Sequence, residues 1–142
     1  MTKTARAICG HAAEHFVCYD LARRGLSAVS NPFEGAPYDI IADYEGRLLR
    51  IQVKGTDEPY VADRVQGKKK WTVNAYQYHV KKSQLEVSDI VAFVAMDIQK
   101  VIYRTPADLV NNATGIQFTP DVMQAGCDKS LLQLLSDLDN LS

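Results

Sequence analysis

The sequence is poor in the features that mark membrane, secreted and disulfide-rich proteins. Its 142 residues include only three cysteines, Cys9, Cys18 and Cys127, with no Cys-x-x-Cys pair among them. Such scattered cysteines predict neither a disulfide framework nor a clustered zinc site. No apolar run approaches the roughly 18 residues that span a bilayer, and no apolar segment follows the basic residues near the N-terminus. We therefore expect a cytoplasmic protein with reduced thiols and no membrane partner.

The chain also lacks a strong excess of charge of either sign. Its 16 basic and 17 acidic residues give a formal net charge of -1, and 46% of its residues are apolar. This balance excludes a disordered chain and a histone-like polycation. The charge is nevertheless uneven, because residues 1–82 carry 13 Lys or Arg against 9 Asp or Glu, whereas residues 83–142 carry 3 against 8. A basic half of this kind is compatible with nucleic-acid binding.

No repeat, low-complexity tract or linker divides the chain. We expect one domain over residues 1–142, with a core over about residues 3–110 and a C-terminal helical extension over about residues 120–142. Apolar spacing predicts a first helix over residues 3–24, which Gly25 ends. Strands are predicted over residues 26–30, 38–44, 47–54, 71–75, 89–96 and 101–104, with a polar, irregular segment over residues 55–70.

The C-terminal third predicts short helices and one further strand or loop. Thr105 and Pro106 are typical of a helix start and predict a helix to about Asn111. Residues 115–120 form a strand or a loop, and Asp128 is placed to cap the last helix. The order of elements predicts an α/β or α+β fold around a mixed sheet of about four or five strands, with the first helix packed on one face.

Two strands are joined by a turn whose length fixes their register. The dipeptide Glu45-Gly46 predicts a tight hairpin in which paired positions have numbers that sum to 91. Asp39 then lies opposite Gln52, and Lys54 lies on the same face because strand side chains alternate with a period of two. The sequence therefore predicts a carboxylate, an amide and an ammonium group close together. A purely structural cross-strand ion pair of Asp39 and Lys54 is the alternative.

Three segments of the sequence resemble motifs of the PD-(D/E)XK nuclease superfamily. Ala36-Pro37-Tyr38-Asp39-Ile40-Ile41 resembles the "PD" element, and Ile51-Gln52-Val53-Lys54-Gly55-Thr56 resembles the "(D/E)XK" strand. Gly10-His11-Ala12-Ala13-Glu14 is similar to the first-helix motif of resolvase-like members. Together with residues 89–95 and 101–109, they resemble a branch of small Holliday-junction-resolvase-like and homing-endonuclease-like enzymes. The resemblance implies a restriction-endonuclease-like core.

The resemblance also implies metal-dependent hydrolysis of phosphodiester bonds in DNA. Glu14, Asp39 and Gln52 would be the metal ligands, with Mg²⁺ as the cofactor and Mn²⁺ as a substitute, since these hard ions prefer oxygen. Lys54 would orient the attacking water and stabilise charge on the phosphate. Gln52 departs from the usual acidic residue and brings no negative charge. The alternative is therefore a catalytically weak or inactive protein with the nuclease fold that binds DNA or has a regulatory role.

Basic residues after the second motif predict contacts with duplex or branched DNA. A solvated loop tip is the alternative for the three consecutive lysines, and Tyr76 and Tyr78 could stack on bases or pack inside the protein. The candidate DNA-binding residues are Arg64, Lys68, Lys69, Lys70, Lys81 and Lys82.

The first helix contains a second pattern that predicts different chemistry. His11 to His15 spells H-x-x-E-H, in which two histidines on one helix face bind zinc and Glu14 acts as the base of a peptidase. Glu86 would be the third ligand. This zinc-peptidase hypothesis is the alternative from another class of enzyme.

A stripe of leucines runs along the last predicted helix. It predicts either core packing or the seam of a homodimer or higher homo-oligomer, which would suit an enzyme that cuts two strands symmetrically. The stripe consists of Leu131, Leu134, Leu135, Leu138 and Leu141.

Overall fold

The computed structural model describes residues 2–31, 36–109 and 115–140, and for residues 127–130 only the backbone. Its helices are α1 (Lys3–Arg23), α2 (Lys82–Val87), α3 (Pro106–Leu109), α4 (Pro120–Ala125) and α5 (Cys127–Asn140). Its strands are β1 (Ser27–Ser30), β2 (Ile40–Tyr44), β3 (Arg47–Thr56), β4 (Tyr60–Gln66), β5 (Lys69–Tyr78), β6 (Ile90–Ala95), β7 (Lys100–Arg104) and β8 (Ile116–Phe118).

A mixed five-stranded sheet is the centre of the fold. Its strand order is β1-β2-β3-β6-β7, in which β3 and β6 are parallel and the other neighbours are antiparallel. A smaller sheet has the order β4-β5-β8. Helices flank the central sheet, which confirms the predicted α+β class, the mixed sheet and its strand number.

Both faces of the central sheet are covered, so hydrophobic residues form two separate clusters. On one face, α1 and α5 pack against residues such as Ile51 of β3. On the other face, β5, β8 and the short helices pack against residues such as Phe93. All six residues of β6 are buried, because this strand is covered from both sides.

The first helix begins and ends close to the predicted positions. The Thr2 hydroxyl accepts a hydrogen bond from the Ala5 N–H at 3.0 Å, which satisfies an N–H group that the first turn leaves free. Arg24 is the C-cap, and Gly25 follows with a φ of +88°, a conformation that glycine adopts without steric cost. The buried face of α1 packs against the central sheet.

The prediction of an irregular segment over residues 55–70 is wrong. β3 continues to Thr56, and β4 and β5 form a long antiparallel hairpin joined at Gly67-Lys68. Gly67 has a φ of +62°, typical of the first turn position in a type II′ hairpin. Most of this hairpin is exposed on both sides, so its sequence has no apolar alternation that would indicate strands. We call residues 60–74 the arm.

The C-terminal elements follow the prediction where the structure describes them. Thr105 precedes α3, and its hydroxyl contacts the Asp108 carboxylate at 2.9 Å. Asn111, the Asp128 side chain and Leu141 lie outside the described residues. Within the portion that is described, no helix is both long and apolar enough to cross a membrane.

The leucine stripe of α5 packs inside this chain. Four of its members are buried in the cluster formed with α1 and the central sheet: Leu131, Leu134, Leu135 and Leu138. These leucines are therefore core residues and are not available as an open seam. A homo-oligomer stays a prediction, and it would need another surface.

Candidate active site

The hairpin of β2 and β3 has the predicted register. Glu45 and Gly46 have φ angles of 51° and 87°, as a type I′ turn requires at both central positions. Ile40 pairs with Ile51, so the paired positions sum to 91 as expected. This confirms the alignment that places Asp39, just before β2, beside the middle of β3.

Asp39 is held by two hydrogen bonds from β3. Its Oδ2 atom accepts one from Gln52 Nε2 at 2.7 Å and one from the Val53 N–H at 2.8 Å. The Asp39 N–H donates to the Ile51 carbonyl at 2.9 Å, which extends the ladder by one residue. Gln52 is only 5% exposed, so this contact is largely shielded from water. The carboxylate is therefore fixed in position.

Glu14 reaches the same place from α1 because helix and strand pack very closely. A Cβ atom on Gly55 would lie 2.5 Å from the Ala13 Cβ, so only glycine allows this approach. Burial raises the pKa of Glu14, the charge of Asp39 and a hydrogen bond between the two carboxyl groups raise it further, and His11 lowers it. The nearest His11 and Glu14 side-chain atoms are 3.6 Å apart.

Lys54 lies half-buried on the face of β3 that carries Gln52. Burial lowers the pKa of Lys54, the nearby ammonium of Lys81 lowers it further, and the Asp39 carboxylate opposes both effects. In the described part of the chain, no ion pair within 4.0 Å joins Lys54 to Asp39. The structure therefore does not contain the purely structural ion pair of Asp39 and Lys54 that was the alternative.

The donor atoms around Asp39 suit a hard divalent cation. Two carboxylates are close enough to share a hydrogen bond, and an amide lies beside them. Their mutual repulsion is the situation that a bound cation relieves, and Mg²⁺ prefers oxygen ligands while keeping several waters. The residues present therefore fit an ion held by Glu14, Asp39 and Gln52, if the amide presents its oxygen.

The zinc site expected from the H-x-x-E-H pattern is not formed. His11 and His15 are exposed on α1, and Glu86 is exposed on α2. Across the residues that the structure describes, no group of three His, Cys, Asp or Glu side chains could hold a metal ion. Glu14 lies between Asp39 and His11, and the described residues do not bring a third zinc ligand to the two histidines, so the zinc-peptidase alternative is wrong for this geometry.

The basic residues fall into two groups. Arg64, three residues before the turn, contacts Tyr60 through a 2.9 Å hydrogen bond, and its guanidinium lies 5.7 Å from the ring centroid. The three consecutive lysines occupy the tip of the arm, and Lys81 and Lys82 lie at the start of α2. Lys81 is the group near enough to affect Lys54.

Tyr76 and Tyr78 pack inside the protein. Both are buried, the Tyr76 hydroxyl donates to Asp97 at 2.9 Å, and the Tyr78 hydroxyl donates to the Val94 carbonyl at 2.8 Å. The Tyr78 ring packs edge-on against Phe93 with centroids 5.1 Å apart. These tyrosines are therefore core residues and do not stack on bases.

A family comparison agrees with this geometry. A model of the PD-(D/E)XK endonuclease family matches residues 5–126, which include α1, both motif strands and the arm. The chain belongs to the PD-(D/E)XK endonuclease family. No curated protein sequence matches it.

Solved structures of this nuclease fold include two similar proteins. A bacterial homing endonuclease, I-Ssp6803I, has a TM-score of 0.62 and 15% identity over 80% of this chain and 74% of that chain. The Holliday junction resolvase Hjc of Archaeoglobus fulgidus, an archaeal hyperthermophile, has a TM-score of 0.56 and 15% identity over 87% of this chain and 98% of that chain. At this identity the likeness establishes the fold, and both proteins are of the branch that the motifs resemble.

Sequence reasoning missed two features of this endonuclease-family site. The proximity of Lys81 to Lys54 depends on how β5 returns over the sheet, and no local pattern encodes it. The arm, in contrast, had a signal. Gly67-Lys68 lies between segments rich in Val, Thr, Tyr and Trp, which is a composition typical of a hairpin with a two-residue turn.

Proposed function

We propose that this protein is a Mg²⁺-dependent DNA endonuclease of the resolvase-like or homing-endonuclease-like kind. The observation that carries the proposal is the convergence on Asp39. Gln52 from β3 donates a hydrogen bond to its carboxylate, Glu14 from α1 lies near enough for Asp39 to raise the Glu14 pKa, and Lys54 lies on the same strand face as Gln52. Membership of an endonuclease family supports the reaction class, and the two structural neighbours support the choice of DNA.

Glu14, Asp39 and Gln52 would hold the metal ion, with Mn²⁺ as a substitute. When bound, the ion polarises the phosphoryl oxygens and lowers the pKa of a water molecule. The protein fixes Asp39 through two hydrogen bonds and brings in Glu14 through the close packing at Gly55. The two carboxylates balance the charge of the ion, and Gln52 adds an uncharged ligand.

Lys54 would act on the phosphate and on the attacking water. Its ammonium stabilises the negative charge that develops on the phosphoryl group. The lowered pKa of Lys54 brings proton transfer closer to neutral pH, because burial and Lys81 disfavour the charged form. Lys81, which is near enough to Lys54 to lower its pKa, and the adjacent Lys82 would contact the DNA backbone beside the cleaved bond.

One observation favours a second candidate, a catalytically weak or inactive DNA-binding protein with the nuclease fold. Gln52 presents its amide nitrogen to Asp39, so the amide oxygen must replace it before Gln52 can act as a ligand. A half-turn about the last side-chain bond achieves this exchange. If the protein never makes it, two carboxylates hold the ion alone and turnover is slow.

A cleavage assay on plasmid, linear and four-way-junction DNA in Mg²⁺ or Mn²⁺ tests the proposal. We expect Asp39→Ala to abolish cleavage while DNA binding stays within about tenfold, because the change removes metal and not backbone contacts. Lys54→Ala should also lose most cleavage. Lys100→Ala, which removes a lysine from β7, serves as the matched control and should cleave like the unmodified protein.

Two outcomes would contradict the endonuclease proposal. DNA binding without any nicking in either metal would favour the inactive alternative. Nicking that persists unchanged in Asp39→Ala and Lys54→Ala would mean that another site, or a contaminant, cuts the DNA.

A further inference from the structure

The arm is a two-stranded ribbon with almost no support from the rest of the molecule. In β4, every residue except Ala62 is exposed, and in β5 the residues from Lys69 to Asn74 are exposed except Val73. Two-stranded ribbons are marginally stable in water. An arm that exposes apolar side chains on both faces therefore suggests a partner surface.

One face of the arm combines exposed valines with polar side chains and one residue of each charge. We call it the valine face, and strand alternation places on it Val61, Asp63, Val65, Lys70, Thr72 and Asn74. Val61 and Val65 are 61% and 64% exposed. The one carboxylate, Asp63, accepts a 2.9 Å hydrogen bond from the Thr72 hydroxyl, so its charge is partly satisfied.

The opposite face of the arm is already engaged. Arg64 lies over the Tyr60 ring and donates to the Tyr60 hydroxyl. Trp71, paired with Arg64, is 44% exposed beside it. On the valine face, Thr72 and Asp63 bond each other, whereas Val61, Val65 and Asn74 are exposed and open to a partner.

The charge of the arm identifies the partner as a polyanion. Arg64, Lys68, Lys69 and Lys70 lie in its distal half, whereas its one acidic residue is Asp63. A second copy of the chain would bring the same cations against these, which is unfavourable. A ribbon of two strands fits the major groove of duplex DNA, where valine methyls contact thymine methyl groups and Asn or Thr side chains bond base edges.

The strand β5, which forms one half of the arm, continues beyond it to Tyr78, close to the strands that carry the site. Lys54 pairs with Phe93, and Tyr78 of β5 packs on Phe93. Alternation places Asn74 and Lys70 on the same side of β5 as Tyr78. At about 3.3 Å per residue, these two residues lie roughly 13 and 26 Å along the strand from Tyr78. With 3.4 Å per base pair, that span corresponds to about four to eight base pairs.

We propose that the valine face lies in the major groove of duplex DNA and reads bases within about eight base pairs of the cleaved phosphate. A specific duplex sequence, and not a branch point, is then the preferred substrate. This inference rests on the nuclease function proposed above, because the site sets where the phosphate lies. The cations at the tip bind the backbone, and Thr72, Asn74 and the two valines select the sequence.

Selection from a randomised duplex library tests the inference with the full chain carrying Asp39→Asn, which we expect to bind DNA without cutting it. We expect an enriched sequence of several base pairs. Thr72→Ala with Asn74→Ala should relax one or two positions by roughly 5- to 150-fold per base while non-specific affinity stays within about threefold. Gln124→Ala with Ser136→Ala, which removes exposed polar groups from α4 and α5, is the matched control and should keep the preference.

The outcomes of these experiments distinguish an incorrect assignment of the arm from an incorrect nuclease mechanism. No enriched sequence, or tighter binding to a four-way junction that the arm variant leaves unchanged, would overturn the groove assignment. A change of molecular mass in sedimentation, caused by the arm variant without DNA, would assign the face to a second copy instead. If the double variant does not fold, the single variant Asn74→Ala provides the test of base preference instead. Cleavage that survives in the Asp39→Asn protein would instead contradict the nuclease mechanism.

Discussion

At the scale of single residues, the candidate site divides into a part that sequence predicts and a part that it does not. The pairing of Asp39 with Gln52 follows from the chemistry of one turn, because Glu45-Gly46 adopts the positive φ angles that fix the register. The closeness of Lys81 to Lys54 could not be predicted, since Lys81 follows Lys54 by 27 positions that include a long hairpin. Long-range packing alone brings them together.

Gln52→Glu tests what the amide does. A carboxylate here would lose the 2.7 Å hydrogen bond to Asp39 and would add a third negative charge. We expect the metal-free protein to lose about 1.5–3 kcal/mol of unfolding free energy, the usual value of a charge-assisted hydrogen bond. Mg²⁺ affinity should rise. Urea unfolding with chelator and calorimetric titration of Mg²⁺ measure the two effects.

The exposed Gln124 of α4 provides the control for that substitution, because Gln124→Glu adds the same charge away from the site. It should change neither quantity. Unaltered Mg²⁺ affinity in Gln52→Glu would mean that position 52 does not touch the ion.

At the scale of elements, the helix and strand that build the site meet at one glycine. The family resemblance drew attention to Gly10 of α1, yet a Cβ atom there would meet nothing within 4 Å. The close contact is instead at Gly55 of β3, opposite Ala13. Sequence could predict that both elements exist, and it could not predict their separation, which depends on which small residues face each other.

Gly55→Ala should therefore move α1 away from β3. The added methyl group would lie 2.5 Å from Ala13, and relief of such overpacking costs about 1–3 kcal/mol. Glu14 would move with the helix, so cleavage should fall as well. Gly10→Ala, in open space on the same helix, should be neutral or stabilise by about 0.5–1 kcal/mol. Equal unfolding free energies for the two variants in urea would argue against tight packing at Gly55.

At the scale of the whole molecule, charge and shape are arranged around one face of the central sheet. The strands of the central sheet were predicted because buried strands such as β6 carry continuous apolar runs. The arm was missed because neither of its faces is a core face. The same property that hid it from the sequence pattern, exposure on both sides, leaves it open to the DNA contact that we propose.

Removing the three lysines at the arm tip should weaken DNA binding and make it less sensitive to salt. Each phosphate contact contributes about 0.9 to the slope of log affinity against log salt, so Lys68→Ala, Lys69→Ala and Lys70→Ala together should reduce the slope by up to about 3. Fluorescence anisotropy across a range of salt concentrations measures it. An unchanged slope in the triple variant would show that the tip does not touch the backbone.

The central claim is that Glu14, Asp39 and Gln52 gather around one divalent ion. A crystal structure of the full chain soaked in Mn²⁺, with the ion located by anomalous scattering, tests this claim most directly. We expect an ion with oxygen ligands from all three side chains, about 2.0–2.3 Å from the Asp39 carboxylate, and with Lys54 beside it. An ion bound elsewhere, or Glu14 turned away from Asp39 in the loaded protein, would contradict it.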